Sequence, residues 1–224
     1  MSTEENRFHP LDNFHEYSPE IMEKRSRFFL EQMKKRRSVR HFSDRHVPGE
    51  VIENCLRAAS TAPSGANMQP WHFVAIYSKD MKKKIREASE RGEREFYRKQ
   101  SEKTWGKALK HLGTNSEKPF LEEAPCLIAI FAQPYSLSKN GEKVPHYYVN
   151  HSTGLAAGIL ISSVHNAGLV CLPYTPSDPG FLNEMLGRPS YEKPFMILVV
   201  GYPKKGAQVP AISKKSLEEF STFI

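Results

Sequence analysis

The 224-residue sequence lacks the cysteine pattern of a disulfide-bonded or zinc-binding protein. Its three cysteines, Cys55, Cys126 and Cys171, lie far apart, and neither a C-x-x-C pair nor a histidine cluster with ligand spacing occurs. A disulfide framework is therefore not supported, and no metal site is predicted. Such cysteines suit a reducing compartment better than an oxidising one.

Long hydrophobic runs are absent too. No window of 18 apolar residues occurs, and the N-terminal segment through Glu16 is polar and acidic, without the apolar stretch of a signal peptide. We find no internal repeat and no low-complexity tract. The sequence thus predicts no signal peptide and no membrane span, and a soluble, cytoplasmic protein.

The charge balance favours small anionic partners over nucleic acid. The chain carries 32 Lys and Arg against 25 Asp and Glu, a formal net charge of +7. Lysine and glutamate are interleaved along the chain rather than gathered in one block. This pattern is compatible with anionic small molecules and favours nucleic acid only weakly.

Hydrophobic periodicity predicts one domain of helices and strands. Residues 1–17 are expected to form a flexible arm, and residues 18–224 a single domain. The Ser18-Pro19-Glu20 start predicts a helix over about 19–36, and Pro48 opens another. Strands are predicted at 71–77, 125–131, 169–172 and 195–200. A long helix over 146–167 is apolar nearly all round, which suits either the core of one chain or the core of a symmetric dimer.

The segment from Lys79 to His111 differs from the remainder because it is charged throughout. It has helical character but few apolar positions. Such a segment is either a solvent-facing addition or a lid that packs only when ligand is present.

Arginines are concentrated in Arg36-Arg37-Ser38-Val39-Arg40. Guanidinium groups match phosphate oxygens bidentately, so the cluster can hold a multiply charged anion such as a phosphate. A basic run at the end of a helix is also typical of a solvated face or of a partner for the helix dipole.

A second candidate segment is Pro63-Ser64-Gly65-Ala66, between a predicted helix and a strand. Glycine lets the backbone approach a ligand closely, and successive amides there can point at an electron-rich atom. A plain turn is the alternative.

Taken in order, these two segments and the strand that begins at Trp71 resemble the FMN-dependent nitroreductase superfamily. Later segments fit the same resemblance: Asn166-Ala167-Gly168-Leu169, Tyr174-Thr175-Pro176, Leu186-Gly187-Arg188-Pro189 and Val200-Gly201-Tyr202-Pro203. The resemblance implies an α+β, nitroreductase-like fold with a central mixed or antiparallel sheet flanked by helices. It also implies a domain-swapped homodimer with FMN bound at the subunit interface.

The resemblance assigns the flavin-binding residues. Those expected to hold the phosphate and ribityl chain are Arg36, Arg37, Ser38 and Arg40, with Lys214 where the superfamily often has arginine. Lysine lacks the planar fork, so that contact should be weaker. The loop expected to reach the flavin from the other subunit is Pro63, Ser64, Gly65 and Ala66, and Pro173 and Thr175 are expected beside the ring.

Within the superfamily, this sequence most resembles the iodotyrosine deiodinase group. There a lid, here residues 79–118, carries the counterparts of Glu93, Tyr97 and Lys118, and Trp105, Thr114 and Asn115 between them also match. The resemblance implies that Glu93 binds the ammonium of an aromatic amino acid, Lys118 its carboxylate and Tyr97 its ring. Glu93 and Tyr97 are four residues apart, so a helix places them on one face.

Two residues are implied to act in catalysis. Thr175 matches the residue whose hydroxyl hydrogen-bonds flavin N5, a contact that favours one-electron steps over hydride-like transfer. The Ala66 amide matches the donor to the substrate phenolate. Pro173 and Tyr174 stand where small hydroxyl residues are common, which is expected to alter the flavin's far side.

The resemblance thus predicts FMN-dependent reductive dehalogenation of halotyrosines to tyrosine and halide, with NAD(P)H or a reductase as electron source. The alternative is a broad-specificity NAD(P)H-dependent nitroreductase or quinone reductase. A non-catalytic flavin or halotyrosine binder, or a basic nucleic-acid binder, is a third possibility that leaves the ordered motifs unexplained.

Overall fold

The computed structural model describes residues 8–100, 112 and 114–224. Its helices are α1 Pro19–Lys35, α2 Gly49–Ser60, α3 Lys79–Gln100, α4 Phe120–Glu123, α5 Val149–Asn166, α6 Phe181–Met185 and α7 Leu217–Phe220. Its strands are β1 Trp71–Ile76, β2 Cys126–Ala132, β3 Tyr135–Leu137, β4 Lys143–Pro145, β5 Val170–Tyr174 and β6 Lys193–Gly201. The α+β prediction is confirmed, and the predicted helices and strands are present with small shifts at their ends.

The chain divides into two units, residues 1–36 and 37–224. In the first unit, Pro19 occupies the first turn of α1, and the Arg36 backbone N–H closes the helix on the Met33 carbonyl. None of the α1 residues is buried, and the aromatic side chains of Phe28 and Phe29 are mostly exposed. The flexible arm over residues 1–17 stays a prediction.

The second unit is built on a four-stranded antiparallel sheet in the order β1-β2-β6-β5. Beside it, Ser38 forms a single parallel bridge with Cys171 of β5. The predicted mixed or antiparallel sheet is therefore confirmed. β3 and β4 pair separately as a short antiparallel ribbon.

Alternating side chains divide the core into two layers. Leu127, Ala129 and Phe131 of β2 point to one side, called here the first face, which α3, α4 and α6 cover. Ile128 and Ile130 point to the second face, which α2 and α5 cover. All of β2 is buried, as its continuous apolar run predicted, because helices cover both sides of the sheet.

Helix α3 corrects one expectation. Its charged sequence predicted little contribution to the core, yet Ile85 is buried in the cluster of the first face with Met81 packed against it, and Ala88 is buried as well. The polar side chains of Lys82 and Glu93 are buried as well. A few apolar residues at helical spacing were enough to anchor the helix, because long charged side chains can extend away from the face that packs.

Helix α5 packs on α2 and the second face through residues such as Ala157, Leu160 and Val164. Leu155 on the same helix is half exposed at 51%. This apolar helix is therefore only partly covered within one chain. In the described parts of the chain, no helix combines the length and apolar character that crossing a membrane requires.

Gly201, at the end of β6, gives a test of the packing at the edge of the second unit. A Cβ atom there would lie 2.5 Å from Cδ of Pro125 and 3.3 Å from the Phe42 ring. We expect Gly201→Ala to lower the free energy of unfolding by about 1–3 kcal/mol, because the rigid proline ring cannot move aside.

Urea or thermal unfolding at fixed protein concentration measures this effect. The matched control is Gly49→Ala, since no atom lies within 4 Å of its added methyl group and alanine is the better helix former. Unchanged stability of Gly201→Ala would contradict the close contact.

Candidate active site

A cavity of about 400 Å³ opens at the end of β5, beside the segment that leads into α4. Its lining combines cationic, anionic and aromatic side chains: Arg40, His41, Thr114, Asn115, Glu117, Lys118, Pro119, Phe120, Glu123, Leu172, Pro173, Tyr174 and Lys204. Convergent groups of both charges beside aromatic side chains in a cleft are typical of a site for a polar small molecule.

Arg40 brings a guanidinium to this cavity. The segment that carries it is fastened to β5, since the Val39 backbone N–H donates to the Cys171 carbonyl at 3.2 Å. Burial lowers the pKa of the half-buried Arg40. Among the described residues no carboxylate lies within ion-pair distance of it. Arg40 is thus available to an anionic ligand.

The other members of the arginine cluster lie elsewhere. The Arg37 guanidinium donates to the Pro210 carbonyl, and Ser38 is held in its bridge to Cys171. Arg36 ends α1 in the first unit. Of the five residues predicted to hold the phosphate and ribityl chain, Arg40 alone is among those that line the cavity.

Glu93 and Lys118 form a buried ion pair. Lys118 Nζ lies 3.1 Å from Glu93 Oε2, and both side chains are less than 10% exposed, at 6% and 8%. A buried charge is costly unless it is paired and hydrogen-bonded. The two charges that the family resemblance assigned to one ligand therefore neutralise each other in this structure.

Further contacts hold Lys118 in place. Its backbone N–H donates to Glu90 Oε1 at 2.8 Å, and its ammonium donates to the Asn115 carbonyl. The ammonium lies 5.3 Å from the ring centroid of Tyr97 and 5.8 Å from that of Tyr174. Burial lowers the pKa of Lys118, although the negative charge of Glu93 acts in the opposite direction.

Tyr97 lies one turn beyond Glu93 on α3, and its hydroxyl group is 3.0 Å from Oγ1 of Thr114. The structure therefore brings Glu93, Tyr97 and Lys118 together, as the helical spacing predicted for the first two. Their binding roles stay predictions. Trp105 and residues 101–111 and 113 of the predicted lid lie outside the described residues.

The Pro63–Ala66 loop has a strained backbone. Ala66, Asn67 and Gln69 have positive φ angles of 49°, 54° and 48°, a conformation that costs roughly 1–2 kcal/mol for each L-residue other than glycine. The Ser64 hydroxyl helps to hold the turn by accepting the Gln69 backbone N–H at 2.9 Å. Strain of this kind is common at ligand-binding segments.

Gly65 is required in this loop by a close approach. An added Cβ atom would lie 3.0 Å from the Tyr148 ring and 3.1 Å from Cβ of Tyr147. In the described loop the amides of Asn67 and Met68 donate to the carbonyls of Ser64 and Gly65. No such bond is found for the Ala66 amide.

Of the remaining predicted residues, only some lie at the cavity. Pro173 lines it, and Thr175 follows one residue after Tyr174 with its side chain exposed. Lys214 is exposed near the C-terminus. Neither Lys214 nor any residue of the Pro63–Ala66 loop is among those that line the cavity.

Sequence reasoning missed one cationic residue of the cavity, Lys204, and undervalued one aromatic residue, Tyr174. Lys204 reaches the cavity because its backbone N–H bonds to the His41 carbonyl at 3.0 Å. Tyr174 is two residues beyond Leu172 on β5, and side chains alternate along a strand, so both point to the first face. That alternation was readable in the sequence, whereas the pairing of residue 204 with residue 41 was not.

The profile of the nitroreductase family matches residues 33–202. The chain belongs to the nitroreductase family. The matched stretch contains α2 to α6, the whole four-stranded sheet and all the cavity residues except Lys204.

Its relatives within the nitroreductase family include iodotyrosine deiodinases. One from Haliscomenobacter hydrossis is 45% identical over 89% of this chain and 90% of the relative. Iodotyrosine deiodinase 1 of Mus musculus is 47% identical over 91% of this chain and 72% of the relative. A crystal structure of oxidised iodotyrosine deiodinase bound to FMN and 3-iodo-L-tyrosine superposes with a TM-score of 0.76. It is 31% identical, over 87% of this chain and 100% of that one.

The buried pair gives a stability prediction. Lys118→Met or Glu93→Gln alone should lower the free energy of unfolding by about 3–5 kcal/mol, because each leaves a buried charge or amide without its partner. The double substitution should cost less than the two single effects together.

Urea unfolding of all four proteins at one concentration tests this coupling. Lys99→Met removes one partner of the exposed pair between Lys99 and Glu95 on the same helix, so it should leave the unfolding midpoint unchanged. Additive single effects would show that the pair is not coupled.

Proposed function

We propose that this protein is an FMN-dependent reductive dehalogenase that converts 3-halotyrosines to tyrosine and halide. The observation that carries the proposal is the buried ion pair of Glu93 and Lys118 with the Tyr97 ring beside it. The identity to iodotyrosine deiodinases over most of the chain supports the same conclusion.

The ion pair is suited to exchange with an amino-acid zwitterion. A ligand ammonium can take the place of Lys118 at Glu93, while the ligand carboxylate takes the place of Glu93 at Lys118. Every buried charge keeps an opposite partner, so the desolvation cost is met both with and without ligand. A neutral phenol offers no such exchange and would have to leave the original pair intact.

The residues present fit FMN. Arg40 is a half-buried guanidinium in the cavity wall without a carboxylate partner among the described residues, which suits a phosphate. We assign Arg36, Arg37, Ser38, Arg40 and Lys214 to the phosphate and ribityl chain. Pro63, Ser64, Gly65, Ala66, Pro173 and Thr175 are assigned to the neighbourhood of the ring.

Replacing carbon-bound iodine by hydrogen takes two electrons and one proton and releases iodide. Reduced FMN, when bound, supplies the electrons, and we propose NAD(P)H or a separate reductase as their source. The chain's own residues orient the substrate through Glu93, Tyr97 and Lys118. We assign the Ala66 amide, in the strained loop, as the donor that stabilises negative charge on the phenolate oxygen, and Thr175 as the residue that hydrogen-bonds flavin N5.

We also propose a homodimer, because the two halves of the site are separate in one chain. The Pro63–Ala66 loop is not part of the cavity wall that holds the ion pair. Large apolar side chains are exposed on α1, on α5 and near the C-terminus, among them Phe28, Leu155, Phe220 and Phe223. Exposed apolar surface on three elements is typical of an intersubunit interface. The buried thiols of Cys55, Cys126 and Cys171 form no disulfide, which is in keeping with the proposed cytoplasmic location.

Turnover of 3-iodo-L-tyrosine is the direct test. Flavin-loaded protein reduced with dithionite should form tyrosine and iodide, which chromatography detects. Protein that holds FMN but forms no tyrosine would overturn the proposed activity. Rapid NADPH oxidation with nitroaromatics and no affinity for halotyrosine would instead identify a broad-specificity nitroreductase.

The ion pair predicts how variants bind substrate. Glu93→Gln and Lys118→Gln should each weaken 3-iodo-L-tyrosine binding by about 1.5–3 kcal/mol, because each loses a charge-assisted contact. FMN should remain bound, since neither residue is assigned to it. Titration of flavin fluorescence measures both quantities. Glu95→Gln, on the same helix but exposed, is the control, and equal affinity in all variants would remove the zwitterion argument.

The dimer proposal predicts a particle of twice the 25.6 kDa chain mass. Light scattering coupled to size-exclusion chromatography should show this mass for the FMN-loaded protein. A monomer that retains FMN and full activity would contradict an active site shared between two subunits.

A further inference from the structure

Tyr174 lies directly behind the ion pair and has no assigned function. It ends β5, is 9% exposed, and packs edge-on against Phe120 with ring centroids 5.6 Å apart. Its hydroxyl group lies 3.4 Å from Glu93 Oε1. The family resemblance only marked position 174 as a departure from the small hydroxyl residues common there.

The two oxygens of Glu93 have different partners. Oε2 faces the Lys118 ammonium at 3.1 Å. Oε1 accepts the Ser177 backbone N–H at 3.2 Å and faces the Tyr174 hydroxyl. Burial and the charge of Glu93 raise the pKa of Tyr174, so the phenol keeps its proton and acts as the donor in this contact.

We propose that Tyr174 is a substrate-positioning residue, whose hydroxyl holds the Glu93 carboxylate so that Oε2 receives the ammonium group of an amino-acid substrate. This inference rests on the proposed function and extends it to a residue that does not touch the reacting atoms.

Exchange of charged partners is the physical reason for such a residue. When a ligand ammonium replaces Lys118, the buried Glu93 carboxylate exchanges one cationic partner for another. Donors on Oε1 that do not change during the exchange keep the carboxylate oriented and its charge hydrogen-bonded. The 3.4 Å separation is long for a hydroxyl donor, and such contacts commonly shorten when a site binds its ligand.

The position of Tyr174 in the chain gives the contact a second consequence. Thr175, assigned to flavin N5, is the next residue, and Pro173 before it lines the cavity. A carboxylate anchored on Tyr174 is therefore fixed relative to the flavin side of the site by a single peptide unit. The adjacent residues Tyr174 and Thr175 would therefore fix the position of the substrate's amino-acid end relative to the flavin.

Tyr174→Phe tests the proposal because it deletes only the hydroxyl and keeps the ring against Phe120. Binding to the FMN-loaded dimer is measured by flavin fluorescence with two probes. These are 3-iodo-L-tyrosine and 3-(4-hydroxy-3-iodophenyl)propanoate, which lacks the ammonium. We expect the Kd for iodotyrosine to rise about tenfold, and that for the propanoate to change less than about twofold.

Two further variants separate positioning from stability. Tyr191→Phe removes a hydroxyl from a half-buried ring that is stacked on Tyr135. Tyr191 is not one of the residues that contact Glu93, so this variant should change neither Kd. In a Glu93→Gln background, Tyr174→Phe should add less than about twofold, since the carboxylate that it positions is gone.

The outcomes are distinguishable. A parent protein that binds FMN but not iodotyrosine overturns the proposed function together with this inference. If the parent binds iodotyrosine, equal losses for both probes, or no loss, overturn the positioning role alone. A Tyr174→Phe protein that unfolds or loses FMN identifies a structural residue and also overturns it. Selective loss of iodotyrosine affinity supports the proposal.

Discussion

Burial of β2 on both faces is the constraint on which the remaining structure depends. Every residue of this strand is buried, so each face of the sheet must be covered by helices. The first face takes α3, anchored by Met81 and Ile85. Glu93 lies eight residues beyond Ile85, roughly two helical turns, so the helical period returns it towards the same side of the helix. The carboxylate is thus buried as a consequence of how the core is covered.

A buried carboxylate then dictates its surroundings. Lys118 supplies the opposite charge, and the Ser177 amide and the Tyr174 hydroxyl supply hydrogen-bond donors. The same requirement supports the proposed ligand, because a zwitterion can replace both partners at once without leaving a charge unpaired. The stability of the buried pair and the proposed preference for an amino acid therefore have one electrostatic origin.

Strand β5 joins the elements of the site. Val39, and with it the segment that carries Arg40, is hydrogen-bonded to its Cys171, while Tyr174 at its end contacts Glu93. The proposed anion-binding guanidinium and the ion pair proposed to bind a zwitterion are consequently both connected to one short strand. The strained Ala66 loop lies on another part of the surface, and the proposed second subunit supplies the means of bringing it to the same ligand.

Much of the fold could be predicted from local pattern. The continuous apolar run of β2 predicted a strand buried on both faces, and Ser18-Pro19-Glu20 predicted where α1 begins. Helical spacing predicted that Glu93 and Tyr97 share a face, and the resemblance to nitroreductases named the cavity residue Arg40. The expectation for α3 was wrong because composition averages over all faces of a helix, whereas packing uses only one.

By itself, the sequence determined the helices and strands, the two charges at positions 93 and 118, and the family. Only the tertiary structure decided that those charges pair with each other, that Tyr174 stands behind them and that Lys204 joins His41 at the cavity. These contacts connect residues far apart in the chain, and their existence depends on which helix covers which face of the sheet. Local periodicity carries no information on that choice, because it describes the face that a residue occupies and not the partner that meets it.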